Sequence, residues 1–390
     1  MAFSTLVSLV RGNFKSPSGS LRPLANGRRR TAIVIGGGIH GITAAVALAK
    51  TGASVTVVDK NEEILQGTSA ATHNRAHLGY HYPRSISTAR ECLLGLEYFR
   101  TRYSDALHYP EEAYYVIEKE SHVTAQDYAQ FCKQLGIPYK LEWPSENLLT
   151  RDRVNSSFRV LEPVFDLRVL SQLLKQDAET NSVALQTGWT VVGATERDGR
   201  HTVLVEKAGD RMPLEADLVI NATYAYANNI LRMCNLKSDH TEYCYHTTEV
   251  VVARGRDLRI PALTVMDGPF QSIMPLAGQG DLVLVYDVIH SVHRRQDGFV
   301  YEEPDKMDSN WEKMVEHGRQ YFPFMDRLEF VRSLWGSRPV PVHDMHSARQ
   351  TKIVAHPSSP GFYSILEGKF ISAPLVAQDL VQLLRQEELV

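Results

Sequence analysis

Three glycines and one aspartate are the residues whose types and spacing most clearly imply chemistry. Gly36, Gly38 and Gly41 fit the pattern G-x-G-x-x-G, and Asp59 ends a β-branched run that follows the next helix-like segment. In this pattern the first glycine permits a tight turn, the second lets the backbone approach a pyrophosphate, and the third lets a helix pack close to a sheet. Asp59 can accept hydrogen bonds from ribose hydroxyls and would repel a 2′-phosphate. The spacing therefore predicts a dinucleotide site.

The segments around these residues supply the elements that such a site needs. The run Thr31–Ile35 predicts a buried parallel strand, Ile39–Lys50 predicts a helix, and Ser54–Val58 predicts a second strand. The N–H groups of Ile39 and His40, at the start of that helix, would bind phosphate together with the positive end of the helix dipole. The unit spans about thirty residues, the length expected of a dinucleotide-binding βαβ unit. The alternative is a glycine-rich turn that binds no ligand.

A second segment is dense in groups that could line a site. Residues 67–84 (GTSAATHNRAHLGYHYPR) are neither helical nor alternating in pattern, and they are rich in hydrogen-bonding and aromatic side chains. Loops of this length in compact domains are usually functional. Farther along, helices and strands alternate, whereas residues 246–293 contain short strands separated by turn residues. That change of pattern indicates an antiparallel sheet.

Composition and charge exclude several classes of protein. The chain has 390 residues and a formal net charge of −3, which argues against a nucleic-acid partner. No apolar run approaches the roughly 18 residues of a membrane-spanning helix, so no integral membrane segment is expected. The four cysteines show neither C-x-x-C pairing nor a metal-site spacing with histidine, so we expect reduced thiols and no bound metal.

The first thirty residues form a leader with its own composition. Residues 1–30 contain six Arg or Lys, several serines, and no Asp or Glu. Their apolar residues fall on one helical face, and a continuous secretory apolar region is absent. This composition favours an organellar transit peptide, with the mitochondrion as the first expectation. The alternative is a disordered basic extension on a cytoplasmic protein.

From Thr31 to its C-terminus the chain resembles the FAD-dependent oxidoreductases of the D-amino-acid oxidase, glycine oxidase and sarcosine oxidase (DAO) superfamily. The marks that carry the resemblance are, in order, VIGGGIHG with Asp59, the loop Gly67–Gly79, the strand and small-residue turn Asp217–Asn228, the W-x-x-R-P element Trp335–Pro339, and the strand with a Gly-Lys turn in Gly361–Pro374. The first mark is shared with many NAD proteins, whereas the ordered set is more specific.

The resemblance implies FAD as cofactor and an α/β fold. It implies a Rossmann-like FAD-binding domain and a second, antiparallel-sheet (α+β) substrate domain that covers one face of the flavin. The predicted FAD-binding segments are 31–110, 151–235 and 331–390. The predicted substrate-domain segments are 111–150 and 236–330.

The resemblance also implies roles for individual residues in removing a hydride from a carbon that bears an amine or a hydroxyl. Arg338 looks like the carboxylate-binding arginine of the family, unless it is structural and stacked on Trp335. Lys369, which follows Gly368 in the C-terminal turn, would stabilise the reduced flavin by its charge, unless it is a solvated turn residue. His77 would hydrogen-bond the flavin ring, or alternatively be its covalent attachment point.

Further predicted contacts lie in the same loop. Ser69 and Asn74 are expected to contact the pyrophosphate or the ribityl chain. Tyr80 and His81, with Tyr82, would form a wall of the substrate pocket, although an aromatic stretch often serves only packing.

Three functions are compatible with these residues. The favoured one is the oxidation of an amine or amino acid to an imine that water then hydrolyses. A 2-hydroxy acid is the alternative substrate, and its oxidation would need His77 or His81 to take the hydroxyl proton. The alternative from another class is a dinucleotide-binding protein without turnover. The electron acceptor is oxygen or another carrier, and the sequence does not choose between covalent and non-covalent flavin.

Overall fold

The computed structural model describes residues 29–236, 240–342, 351–366 and 368–390. Its strands, in chain order, are β1 (Thr31–Ile35), β2 (Ser54–Asp59), β3 (Leu107–His108), β4 (Ala113–Glu118), β5 (Tyr139–Leu141), β6 (Val154–Val160), β7 (Val164–Phe165), β8 (Ala184–Thr187), β9 (Thr190–Arg197), β10 (Arg200–Lys207), β11 (Asp210–Ala216), β12 (Leu218–Asn221), β13 (Tyr243–Arg254), β14 (Ala262–Met266), β15 (Gln271–Pro275), β16 (Leu282–Asp287), β17 (Val292–Gly298), β18 (Glu329–Pro341), β19 (Lys352–Ala355) and β20 (Phe362–Leu366). Its helices are α1 (Ile39–Ala49), α2 (Ile86–Tyr103), α3 (Ala125–Leu135), α4 (Leu167–Thr180), α5 (Ala227–Met233), α6 (Trp311–Gly318) and α7 (Ala373–Gln386).

One sheet of six strands, here called the parallel sheet, contains the predicted βαβ unit. Its order is β19-β20-β12-β1-β2-β8, and only β19 runs antiparallel to its neighbour. The predicted unit is confirmed, because β1, α1 and β2 occupy the segments that the pattern indicated. The apolar side of α1, including the fully buried Ile42 and Leu48, packs into the core together with Leu380 of α7. On the opposite face Ile33 and Val219 pack in a separate apolar cluster with Val203 of β10, so the middle of the sheet is buried on both faces.

A second sheet, here called the large sheet, is built mainly from antiparallel strands. Its order is β17-β13-β16-β15-β14-β4-β6-β5, and β18 lies along β13. Helix α6 covers one face, where Met314 packs on Val251 and Val285 in a separate apolar cluster. The other face turns toward the parallel sheet through side chains such as Tyr115 and Leu284, which belong to the main core. A third, antiparallel sheet contains β9, β10 and β11.

Strand β18 is longer than the sequence suggests. The pattern predicted a strand that ends at Leu334, with Trp335–Pro339 following it, but β18 continues to Pro341 and pairs with β13 throughout. Among the described strands, β18 pairs with β13 alone, so its other edge is open. An edge strand tolerates Pro339 and Pro341, because their missing N–H groups can face away from the ladder.

Sheet membership bears on the predicted domain ranges. β6 pairs with β4 and β5, and β18 pairs with β13, so both belong to the large sheet. The ranges 151–235 and 331–390 therefore each begin with a strand of the large sheet rather than of the FAD-binding domain. We place those two boundaries after β6 and after β18.

No helix of the described residues combines the length and apolar character needed to cross a bilayer. The predicted leader lies outside the described residues, apart from Arg29 and Arg30.

Candidate functional site

A deep cleft opens at the carboxyl ends of β1, β2 and β12. Its volume is about 910 Å³, and its wall includes residues from the β1–α1 turn, the loop 66–69 and the C-terminal turn around Gly368. Ligands of open α/β sheets bind at the carboxyl ends of the strands, where the direction of chain connection reverses. The cleft lies at such a place, between β1 and its neighbours β2 and β12.

Glycine is required in the β1–α1 turn because neighbouring backbone atoms lie too close to leave room for a side chain. Gly36 has a φ of +107°, and a Cβ built on it would lie 2.6 Å from the carbonyl oxygen of Ala222. A Cβ on Gly41 would overlap the carbonyl oxygen of Gly36. Gly38 lines the cleft and caps α1, so the first turn of that helix presents its N–H groups toward the cavity. These positions form a cradle that side chains would fill, and a pyrophosphate fits it.

Asp59 lies at the end of β2 and lines the same cleft. Its Oδ2 accepts a hydrogen bond of 2.5 Å from the N–H of Gly37, and its Oδ1 accepts bonds from the backbone and side chain of Asn61. Because a carboxylate offers about four acceptor sites, capacity for a ribose hydroxyl is left. Ser69 is also at the turn, where its Oγ accepts a 3.3 Å bond from the N–H of Ile39.

One side of the cleft is closed by the segment 301–307, which is tied to the βαβ unit through one cluster. Lys60 donates to Glu303 at 2.8 Å and to the hydroxyl of Tyr226 at 2.9 Å, and its Nζ lies 4.2 Å from the centre of the Tyr226 ring. The Tyr226 hydroxyl also bonds Glu303. We call these three residues the Lys60 cluster. All three line the cleft.

Three of the residues predicted to be catalytic lie together. The rings of His77 and His81 are 5.5 Å apart, and both contact Tyr82, which lies 5.2 Å from His77. The Nζ of Lys369 lies 4.6 Å from the centre of the same tyrosine ring. Lys369 is only 6% exposed, so the structure does not support the reading of a solvated turn lysine.

His40 connects the start of α1 to the C-terminal turn. A Cβ built on Gly368 would lie 2.7 Å from the Nε2 of His40, and Gly368 has a φ of +151°. Burial lowers the pKa of His40 to about 4, and a hydrogen bond to the backbone of Lys369 opposes this shift in part. His40 and Gly368 both line the cleft, so a neutral imidazole holds the two walls together.

Two predicted residues lie apart from this group. Tyr80 is fully buried, and its hydroxyl donates to the carbonyl of Pro138, so the structure gives no support to its place in a substrate wall. Asn74 is also buried; its φ is +50°, and its side chain accepts from the hydroxyl of Thr72. Both side chains serve the loop itself. Neither Tyr80 nor Asn74 is among the residues that line the cleft, and the same is true of His77, His81, Arg338 and Lys369.

Arg338 lies on β18, directly after Gly336 and Ser337, which line the cleft. One guanidinium nitrogen is 3.3 Å from Nδ1 of His246, and Nε is buried without a hydrogen-bond partner among the described residues. Residues three apart in a strand point to opposite faces, and Trp335 lies edge-on to His293 instead. The alternative of Arg338 stacked on Trp335 is therefore wrong.

A buried ion pair beneath the loop was not foreseen from the sequence. Arg75 donates to Tyr115 at 2.8 Å, to Thr264 at 2.7 Å and to His81 at 3.1 Å, while its Nε lies 3.5 Å from Glu162. Arg75 and Glu162 are 5% and 2% exposed. A lone acid in the apolar run Val160–Phe165 is the one signal that could have indicated this pair.

The carboxylate of Glu162 faces His77. Oε1 of Glu162 lies 3.7 Å from Nδ1 of His77 and accepts a 3.1 Å bond from the N–H of Leu78. Burial alone would raise the pKa of Glu162, but His77 and Arg75 outweigh it and hold that pKa below its usual value. Burial lowers the pKa of His77, and Glu162 opposes that shift in part. His77 is therefore a neutral imidazole beside a carboxylate at neutral pH.

Comparison with known proteins gives one consistent result. Residues 31–383 match the family model DAO, described as FAD dependent oxidoreductase. The chain is 20% identical to glycerol 3-phosphate oxidase of Mycoplasma pneumoniae over 91% of this chain and 94% of that protein. It is 25% identical to an FAD-dependent monooxygenase of Fusarium mangiferae, over 64% of this chain and 62% of that protein.

Solved structures share the fold. Glycine oxidase from Geobacillus kaustophilus superposes with a TM-score of 0.71 at 17% identity, covering 92% of this chain and 95% of the other. L-proline dehydrogenase from P. horikoshii gives 0.72 at 17% identity, covering 92% and 94%. The reduced L-α-glycerophosphate oxidase of Mycoplasma pneumoniae, with FAD bound, gives 0.70 at 19% identity, covering 92% and 95%.

Proposed function

Because the chain belongs to the DAO family of FAD-dependent oxidoreductases and uses FAD, we propose that it oxidises a small amine or amino acid that carries a carboxylate. The observation that supports a carboxylate on the substrate is the state of the Arg338 side chain. Arg338 is a partly buried cation that does not itself line the cleft but follows the cleft-lining Ser337 along β18; its Nε has no hydrogen-bond partner, and no carboxylate pairs with it among the described residues. A guanidinium in this state favours a bidentate carboxylate from a ligand.

In this proposal the cofactor and the residues of the protein have separate roles. Bound FAD would supply the acceptor for the hydride that leaves the carbon bearing nitrogen. The glycine cradle and Asp59 would hold the dinucleotide, while Arg338 would orient the substrate by its carboxylate. The substrate is left as an imine, and water converts the imine to a carbonyl compound and free amine or ammonia. Relatives named for amine or amino-acid substrates, such as glycine oxidase, support this substrate class.

A 2-hydroxy acid is the second candidate substrate, and one contact favours it. Oxidation of an alcohol needs a base for the hydroxyl proton, and His77 is a neutral imidazole facing the carboxylate of Glu162. The same Arg338 would hold the carboxylate. The similarity to a protein named glycerol 3-phosphate oxidase adds support for a hydroxyl-bearing substrate.

The experiment is anaerobic reduction of the bound flavin, monitored as the loss of its absorption band at about 450 nm. Three matched compounds are tested: an amino acid, its decarboxylated amine, and the corresponding 2-hydroxy acid. Arg338→Ala should weaken the carboxylated substrates on the order of 100-fold, because charge-assisted hydrogen bonds are lost. Arg332→Ala is the control, since Arg332 is exposed on the same strand. Unchanged kinetics in Arg338→Ala would remove Arg338 from the site.

The pH dependence of the same reaction separates the two substrate classes. For a hydroxy acid, the reduction rate should rise through a pKa that disappears in His77→Gln. For an amine, the rise should persist in that variant, because it reports the substrate nitrogen. No reduction by any compound would favour a binding protein without turnover.

The acceptor and the location are part of the proposal. Oxygen or another electron carrier would reoxidise the flavin. On the composition of residues 1–30 we place the protein in the mitochondrion, with the cytoplasm as the alternative.

A further inference from the structure

A cluster of histidine and aspartate lies outside the flavin cleft. It contains Asp287 at the end of β16, His290 in the turn that follows, and His317 in the last turn of α6. One potential ligand atom from each residue lies within 4.8 Å of the other two. None of the three lines the cleft, so the chemistry proposed above does not account for them.

Asp287 organises this cluster. Its Oδ1 accepts hydrogen bonds of 2.9 Å from the backbone N–H groups of Ile289 and His290, which fixes the turn. Its Oδ2 accepts from Nε2 of Gln271 at 3.1 Å and lies 2.5 Å from Nδ1 of His317. The rings of His290 and His317 face each other nearly at right angles, 5.8 Å apart. The Asp287 carboxylate and the His317 imidazole are thus held by hydrogen bonds, while the His290 ring is positioned by its backbone bond to Asp287 and by its contact with His317.

A second observation points to a missing partner. Gln271 is 1% exposed, and its Oε1 has no hydrogen-bond partner among the described residues. The same amide donates from Nε2 to Asp287 and to the carbonyl of Met314, and these two bonds hold Oε1 next to the cluster. A Cβ built on Gly318, the residue after His317, would overlap that oxygen. A buried acceptor without a donor is rare in proteins and calls for an explanation.

We propose that Asp287, His290 and His317 bind a divalent transition-metal ion of the zinc class. Two imidazoles and one carboxylate are a ligand set that suits Zn²⁺, Co²⁺ or Ni²⁺ more than Mg²⁺ or Ca²⁺. The ion takes the place of the hydrogen between Nδ1 of His317 and Asp287, and the neutral ring carries its one proton on Nε2. Ligand atoms of a tetrahedral zinc site are separated by roughly 3.3 Å, so the 2.5 Å contact widens by roughly 0.8 Å on binding.

The remaining coordination position goes to a water molecule. Its hydrogen provides the donor that Oε1 of Gln271 lacks, which is how outer groups of metal sites are usually satisfied. Asp287 is fully buried and His317 is 12% exposed, so the ion enters from the side of the two histidines. The bound ion joins α6 to the β16–β17 connection on the face of the large sheet that turns away from the flavin.

The test uses the purified holoenzyme, freed of metal by a chelator and titrated with Zn²⁺ in a calorimeter at pH 8. We expect one saturable site with a stoichiometry of about one ion per protein molecule. Co²⁺ should give the strong visible absorption of a four-coordinate site. Absence of saturable binding by either ion would overturn the proposal.

Variants distinguish this site from adventitious binding. His290→Ala and His317→Ala should each remove the Zn²⁺ site, while the exposed His122→Ala should retain it. If His317→Ala fails to fold, His290→Ala still decides, because its ring bears no fold-defining contact in the cluster beyond that with His317. Full Zn²⁺ binding in His290→Ala would contradict the assignment. Flavin content and reduction are read in parallel, so a failure of the proposed function is recorded separately.

Discussion

The glycine turn at residues 36–41 and the loop at residues 74–82 both approach the C-terminal turn, His40 at Gly368 and Tyr82 at Lys369, yet they are held in place by opposite means. The glycine turn depends on backbone atoms that approach so closely that no side chain fits, as at Gly41. The loop depends on side chains, above all the pair Arg75 and Glu162, that reach strands far away in sequence. One region is specified by local spacing, and the other by long-range pairing of buried charges.

The largest effect is expected in the glycine turn. In Gly41→Ala the new Cβ would overlap the carbonyl oxygen of Gly36, so strand and helix cannot keep their packing. We expect little or no folded, flavin-containing protein, measured by the visible spectrum and by circular dichroism. Gly193→Ala is the matched control, because a Cβ there meets no atom within 4 Å and Gly193 does not line the cleft. Normal flavin content in Gly41→Ala would show that the turn can relax.

The loop should respond through its buried charges. Glu162→Gln leaves Arg75 buried without a counter-ion, and such a loss costs about 3–5 kcal/mol of unfolding free energy. Urea unfolding in saturating FAD measures the change, and Glu142→Gln, in a partly exposed pair, should have little effect. The double variant Arg75→Met/Glu162→Gln should be less destabilised than Glu162→Gln alone. Equal or additive losses would contradict a coupled pair.

His40 belongs to the glycine turn but reaches the C-terminal turn, and its effect depends on pH. Its folded-state pKa of about 4 lies below the ordinary 6.5, so the unfolded chain binds the proton more readily. The stability from neutral His40 is therefore complete above pH 6.5 and falls by up to about 3 kcal/mol as the pH drops from 6.5 to 4. His40→Leu should flatten this decline in urea unfolding. Parallel pH curves for the two proteins would exclude His40 as the titrating group.

The smallest effect concerns a contact between the cleft-lining segment 66–69, which precedes the loop at residues 74–82, and β18. The hydroxyl of Thr68 accepts a 3.3 Å bond from the N–H of Ser337 and donates a 3.1 Å bond to its carbonyl. Thr68→Val should cost about 1 kcal/mol of unfolding free energy, the net value of a typical hydrogen bond. Thr101→Val, whose hydroxyl bonds within an exposed helix, should change less. A larger loss of unfolding free energy in Thr101→Val than in Thr68→Val would contradict the contribution assigned to the Thr68–Ser337 contact.

The βαβ unit and the DAO family were predictable from the sequence, and both predictions are confirmed. Their signals are local: three glycines, two β-branched runs and an aspartate at fixed spacing. The pairing of Arg75 with Glu162 was not predictable, because the two residues are 87 positions apart and no local pattern shows that their segments come together in the fold. Tyr80 shows the same limit, since an aromatic cluster gives no sign of which ring faces a cavity and which enters the core. The continuation of β18 through two prolines depended on its place at an edge, which is a property of the assembled sheet.

Because of the Lys60 cluster, we expect the dissociation rate of bound FAD to depend on ionic strength. Lys60 and Glu303 are 40% and 65% exposed, yet their contact ties the segment 301–307 to the end of β2 across the cleft. Salt screens an exposed ion pair but leaves the buried cradle around Gly36 almost untouched. A protein washed in concentrated salt should therefore lose its yellow colour sooner than one kept in dilute buffer, even though the walls that recognise the dinucleotide are unchanged.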